Sequence, residues 1–194
     1  MMIAWYDTEF HERGHHFPID LISIGLVRQD GFQYYAICSE FDFEAAWNNP
    51  GKDGDYWLRE NVLKQLPLIW PENRSTPKLD KAHASVRSRA AIRRELMVFL
   101  GLDGLNPAEI ELWAWYADYD HVVLCQLFGT MAELPAGMPM FTHDLKQELA
   151  LHGNPPMPAQ VRGHHNALDD ALHLKYMWSH AKARGLVNKT TPIN

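Results

Sequence analysis

Cysteine is almost missing from this chain: its 194 residues contain two, Cys38 and Cys125, too few for the disulfide framework of a small secreted scaffold. Neither stands at zinc-finger spacing from a second Cys or His, and both lie in apolar surroundings, so two buried free thiols are expected. Long apolar runs are missing as well. Nothing approaches the ~20 residues that cross a membrane, and the N-terminus has no basic region followed by a long apolar core. A cytoplasmic protein without membrane contact is expected. Basic residues are outnumbered, 18 Lys and Arg against 24 Asp and Glu, for a net charge of −6. Such a balance disfavours salt-driven binding along a duplex. It leaves open a protein that grips a few nucleotides and supplies positive charge through cations. Internal repeats and low-complexity tracts are also lacking.

What is present, 46% hydrophobic and 22% charged residues, fits one compact domain spanning residues 1–194. Residues 2–9, 20–28 and 32–39 read as strands, with Gln29-Asp30-Gly31 making a hairpin turn between the second and third. Residues 41–49 and 55–65 read as helices separated by Asn49-Pro50-Gly51. A Pro-containing connection over 66–81 leads to a helix over 85–100, where Val86, Ala90, Ile92, Leu96, Val98 and Phe99 keep helical spacing. Alternation follows: strand 110–116, helix 120–128, strand 139–142, helix 143–151. The stiff connection Asn154-Pro155-Pro156-Met157-Pro158 precedes a final helix. Three strands and then alternating helices and strands suit a mixed five-stranded sheet covered by helices. Arg74, Lys78, Lys81, Arg87, Arg89, Arg93 and Arg94 form a basic stretch, which reads either as a solvated helix face or as a surface that guides nucleic acid.

Three acidic motifs stand out. Asp7 and Glu9 project from one face of an apolar strand. Read blandly they are a solvated rim. As a close pair on one face they repel and lose hydration unless a cation compensates, and hard oxygen ligands suit Mg²⁺ or Mn²⁺ better than zinc. Tyr119-Asp120 follows a buried strand pattern, where Asp118 or Asp120 either caps the next helix or points into the ligand end of an α/β sheet. In His165-Asn166-Ala167-Leu168-Asp169-Asp170 the acids either complement the positive end of a helix or serve a site, with His165 at its entrance.

Together these segments resemble the DEDDh branch of the ribonuclease T-like (DnaQ-like) 3′–5′ exonucleases, whose pattern is Asp-x-Glu, an aromatic-Asp pair and His-x-Ala-x-x-Asp. Within that branch Tyr6-Asp7-Thr8-Glu9-Phe10, Leu21-Ile22-Ser23-Ile24-Gly25, Leu112-Trp113-Ala114-Trp115, Tyr119-Asp120-His121 and Leu124-Cys125-Gln126-Leu127 are similar to a bacterial and phage subgroup typified by the mycobacterial polyadenylate-specific exoribonuclease. The resemblance covers most of the chain, least over 40–108. It departs after Asp-x-Glu, where Phe10-His11-Glu12-Arg13-Gly14 replaces a Thr- or Gly-containing turn. The frame selects His165 over His164, Asp170 over Asp169 and Asp120 over Asp118.

The resemblance implies an α/β ribonuclease H-like fold and hydrolysis of the 3′-terminal phosphodiester of single-stranded RNA to nucleoside 5′-monophosphates. It implies two Mg²⁺ or Mn²⁺ ions held by Asp7, Glu9, Asp120 and Asp170, with His165 as general base. Phe10 reads either as a core residue or as the side chain packing against the terminal base; Trp113 and Trp115 read as core. The aromatic content permits a homodimer, a state relatives often adopt. A DNA exonuclease of the proofreading type is the nearest alternative. A non-catalytic nucleic-acid-binding module is another, and would be expected to lack one of the five acid or base positions, all of which are occupied.

Overall fold

A computed structural model of the chain describes residues 1–107 and 109–187; within the expected span of 1–194, residues 108 and 188–194 lie outside the described residues. In chain order the strands β1 (Met2–His11), β2 (Asp20–Arg28) and β3 (Gln33–Cys38) pair as an antiparallel meander. Gly31, at φ 93°, makes the left-handed turn expected of the β2–β3 hairpin. Two short helices follow, α1 (Phe43–Trp47) and α2 (Trp57–Asn61), then a small separate hairpin of β4 (Leu68–Ile69) and β5 (Lys78–Leu79). Next come β6 (Val86–Arg87), α3 (Arg89–Phe99), β7 (Ile110–Ala114) and α4 (Ala117–Gln126). The chain closes with β8 (His143–Asp144), α5 (Leu145–Leu151) and α6 (Ala167–Ala183).

The sheet order is β6-β3-β2-β1-β7-β8, with β7 parallel to β1 and β8 parallel to β7. The mixed sheet expected from the sequence is therefore present, with six strands instead of five. Val86 and Arg87 pair with Ile37 and Cys38 rather than opening a helix, and α3 starts only after Ser88, whose hydroxyl caps the Ala91 amide. The last strand also lies later than expected, at 143–144. No described helix is long and apolar enough to cross a membrane. Cys38 is a buried free thiol, as expected, whereas free Cys125 is only half-buried.

The alternation along β1 explains where the site forms. Ala4 and Tyr6 join a core on one side of the sheet with Ile24, Leu96 and Leu124; Ile3 and Trp5 join a second core with Trp113, Leu174 and Trp178. Each large apolar side chain so buried contributes about 1.5–3 kcal/mol. Two residues on, the Ile3–Trp5 face continues as Asp7 and Glu9, so the apolar stripe gives way to carboxylates halfway along the strand. Helix α6 crosses β1 and β2 on this side. Its start presses against Gly25, the β2 partner of Asp7, where a Cβ would sit 2.3 Å from the Leu168 nitrogen and 2.4 Å from the Ala167 carbonyl oxygen. Only glycine allows that approach.

Candidate active site

Four acids and a histidine meet because three elements end at the same place. Asp7 and Glu9 come from β1. Asp120 comes from the first turn of α4, four residues into the helix, and Asp170 occupies the matching place in α6. The strand before Asp120 ends at Ala114, earlier than its apolar pattern suggests. Asp7, Thr8, Glu9, Phe10, Tyr119, Asp120, His165 and Asp170 line one cavity of about 550 Å³. Donor atoms of Glu9, His165 and Asp170 lie within 4.8 Å of one another.

Both helix entrances are built with care for backbone geometry. Tyr116, before α4, and His165, before the α6 cap Asn166, adopt left-handed φ values of 57° and 62°, a conformation costing a non-glycine residue on the order of 1 kcal/mol. Tyr116 provides no side-chain cap. Neither Asp118 nor Asp120 caps α4 either, contrary to one reading of the sequence. Buried Asp144 does so from the neighbouring strand: its carboxylate accepts the Tyr116 and Ala117 amides, each at 3.3 Å, and caps its own helix through the Lys146 amide at 2.7 Å. One carboxylate thus fixes where two helices begin, and with them the position of Asp120.

Asp120 is 5% exposed, and its Oδ1 accepts both the Thr8 amide at 2.8 Å and the Thr8 hydroxyl at 2.5 Å. Asp170 is held on both oxygens, Oδ1 by the Gln160 amide at 2.6 Å and Oδ2 by the His165 backbone N–H at 2.9 Å. Asp7 and Glu9 accept no hydrogen bond from the described residues, and none of the four acids is paired with Lys or Arg there. The electrostatic consequence is large. Burial, then the charges of Asp120, Glu9 and Asp170, push the Asp7 carboxyl well above its usual range. Burial, with Asp170 and Asp120 next, raises Glu9 to about 8. Burial raises Asp120 to about 7 despite the Thr8 hydrogen bonds, which act in the opposite direction. Asp170 is raised too, mainly by burial. Left alone this cluster holds protons; it can ionise fully only beside compensating positive charge.

Phe10 stacks on Tyr119 along the cavity wall, ring centroids 5.9 Å apart and planes 14° apart, and it also packs against the core. Trp113 is core, as expected, but Trp115 lies beyond the end of β7 and lines the cavity. Other neighbours carried no sequence signal. Trp57, from the motif-poor stretch, meets the His165 ring edge-to-face at 4.7 Å, and Gln65 donates to the His164 carbonyl at 2.9 Å. Gln160 and Asp144 were equally silent, since no spacing links them to the acids they serve. Of the basic stretch, Arg87 pairs with Glu95 and Arg89 with Asp20.

Known nucleases share the fold of this chain. The structure of the nuclease domain of 3′hExo, a DEDDh family member, bound to rAMP, shares the fold with a TM-score of 0.51 at 14% identity, over 98% of this chain and 97% of that one. Cell-death related nuclease 4 (CRN-4) shares it with a TM-score of 0.55 at 12% identity, over 95% of this chain and 64% of that longer one. The 3′-5′ exoribonuclease Rv2179c of Mycobacterium tuberculosis is 45% identical over 170 residues, 88% of this chain and 87% of that protein. Residues 2–181 match the family model of the 3′-5′ exoribonuclease Rv2179c-like domain, and the chain belongs to that family.

Proposed function

We propose that the chain is a single-domain, metal-dependent 3′–5′ exoribonuclease, acting in the cytoplasm on the 3′ end of single-stranded RNA and releasing nucleoside 5′-monophosphates. The observation that carries this reading is the set of four carboxylates in one cavity, none of them paired with a Lys or Arg among the described residues. The name of the mycobacterial relative supports RNA as substrate.

The residues fit a pair of Mg²⁺ or Mn²⁺ ions. All four carboxylates offer hard oxygen donors, Asp7 and Glu9 spend none of theirs on hydrogen bonds among the described residues, and a cation would offset the burial and the neighbouring Asp170 and Asp120 charges that raise Glu9 to about 8. Asp7, Glu9 and Asp170 would hold the ions, with Asp120 ordering the cluster through the oxygen Thr8 leaves free. Divalent cations there would supply positive charge to the phosphodiester and lower the pKa of an attacking water.

The side chains do the rest. His165 faces Glu9 and Asp170 and takes the proton from the attacking water. Its ring is steadied by Trp57, and its backbone N–H ties it to the acid five residues on. Phe10, backed by Tyr119, offers an apolar face to the terminal base, a contact indifferent to sequence.

The test is direct. 5′-labelled single-stranded RNA, with matched DNA alongside, is incubated with the protein and Mg²⁺ or Mn²⁺. The expected result is a ladder shortening from the 3′ end, abolished by chelator and by Asp7→Ala. Faster digestion of DNA overturns RNA as the substrate, and digestion of neither polymer overturns the enzymatic reading.

A further inference from the structure

The four acids are not positioned alike. Asp7 and Glu9 are fixed by the strand and Asp120 by Thr8, whereas Asp170 depends on the loop leading into α6. Gln160 organises that loop. Its Nε2 donates to Asp170 Oδ1 at 2.6 Å and to the Arg162 carbonyl at 3.2 Å, while its own carbonyl lies 3.1 Å from His164 Nε2. With the His165 N–H on Oδ2 at 2.9 Å, the carboxylate plane is set by one neutral donor on each oxygen. Each oxygen keeps a lone pair. The choice of an amide matters. Arg or Lys in its place would hold Asp170 as firmly but would neutralise the charge a cation needs.

We infer that Gln160 is a positioning residue for the cation site: it orients Asp170 and so sets the affinity for the divalent ion that Asp170 would hold. The inference rests on the cation-binding reading above.

Gln160→Met keeps the size of the side chain and removes the donor. Mn²⁺ binding is read by the electron paramagnetic resonance of the free ion, alongside RNA hydrolysis over a range of Mg²⁺ concentrations. Removing a hydrogen-bond partner of a metal ligand typically costs about 10–100-fold in affinity. Mn²⁺ should therefore bind the variant about tenfold or more weakly, and half-saturating Mg²⁺ should rise accordingly. Turnover at saturating Mg²⁺ should return to within a few-fold of the parent. Val161→Ala, in the same loop and 93% exposed, should change nothing. Unchanged Mn²⁺ affinity, or turnover depressed equally at every Mg²⁺ concentration, overturns the role of Gln160. Absence of Mn²⁺ binding by the parent protein overturns the cation reading itself and this inference with it. Should Gln160→Met not fold, Gln160→Ala is held to the same outcomes.

Discussion

Glu9→Gln should make the metal-free protein more stable, by a margin that grows as pH rises above about 5. In the folded chain the Glu9 carboxyl is raised from 4.5 to about 8, so between those values the native state keeps a proton that the unfolded state has released. Stability then falls as pH rises through that window and levels off above it. At about 1.4 kcal/mol per pH unit, a carboxyl moved that far forfeits on the order of 5 kcal/mol by pH 8. Part of this belongs to Asp7, Asp120 and Asp170, which would also be relieved or would remain charged, so removing one member should recover roughly 2–4 kcal/mol. For a chain of 194 residues that is a rise of about 5–15 °C in Tm. Thermal unfolding followed by circular dichroism in chelator, from pH 5 to 8.5, provides the assay. The variant and parent should unfold together near pH 5 and diverge steadily above it. Adding Mg²⁺ or Mn²⁺ at pH 8 should stabilise the parent far more than the variant. A variant equal to or less stable than the parent at pH 8 in chelator would refute the reasoning, because burial beside Asp170 and Asp120 would then not penalise the charged Glu9 carboxylate.

Much of this site was legible because its chemistry is written in short local spacings. Asp7 and Glu9 share a strand face whatever the rest of the fold does, and His165 and Asp170 are joined by one helical turn. The hairpin turn at Gly31 is likewise a local matter. Element ends were harder to read. Asp120 sits inside α4 because Asp144, far along the chain, caps that helix, and Val86–Arg87 form a strand because an open edge of β3 is available to pair. Trp57, Gln65 and Gln160 reach the site through tertiary packing alone, and nothing in their immediate neighbours distinguishes them from other aromatic or amide side chains.

Two further outcomes are expected. Gly25→Ala pushes a methyl against the backbone at Ala167–Leu168, which cannot rotate away, so it should cost about 1–3 kcal/mol or more, lowering Tm and weakening Mn²⁺ binding together. A variant with unchanged Tm and Mn²⁺ affinity would mean that α6 does not rest on β2 as described. His165→Ala should slow RNA hydrolysis by about 10²–10⁴-fold while Mn²⁺ binding by calorimetry persists; full turnover at saturating Mg²⁺ would remove it from the role of base.

As proposed, the acids of β1, α4 and α6 act as one ligand set. Crystals grown or soaked with Mn²⁺, and measured for its anomalous scattering, address that set without involving RNA. Mn²⁺ is predicted in the cavity, with carboxylate oxygens of Asp7, Glu9 and Asp170 in its coordination shell. Mn²⁺ found only elsewhere, or a cavity in which an Arg or Lys side chain has moved in to neutralise the four acids, would contradict it.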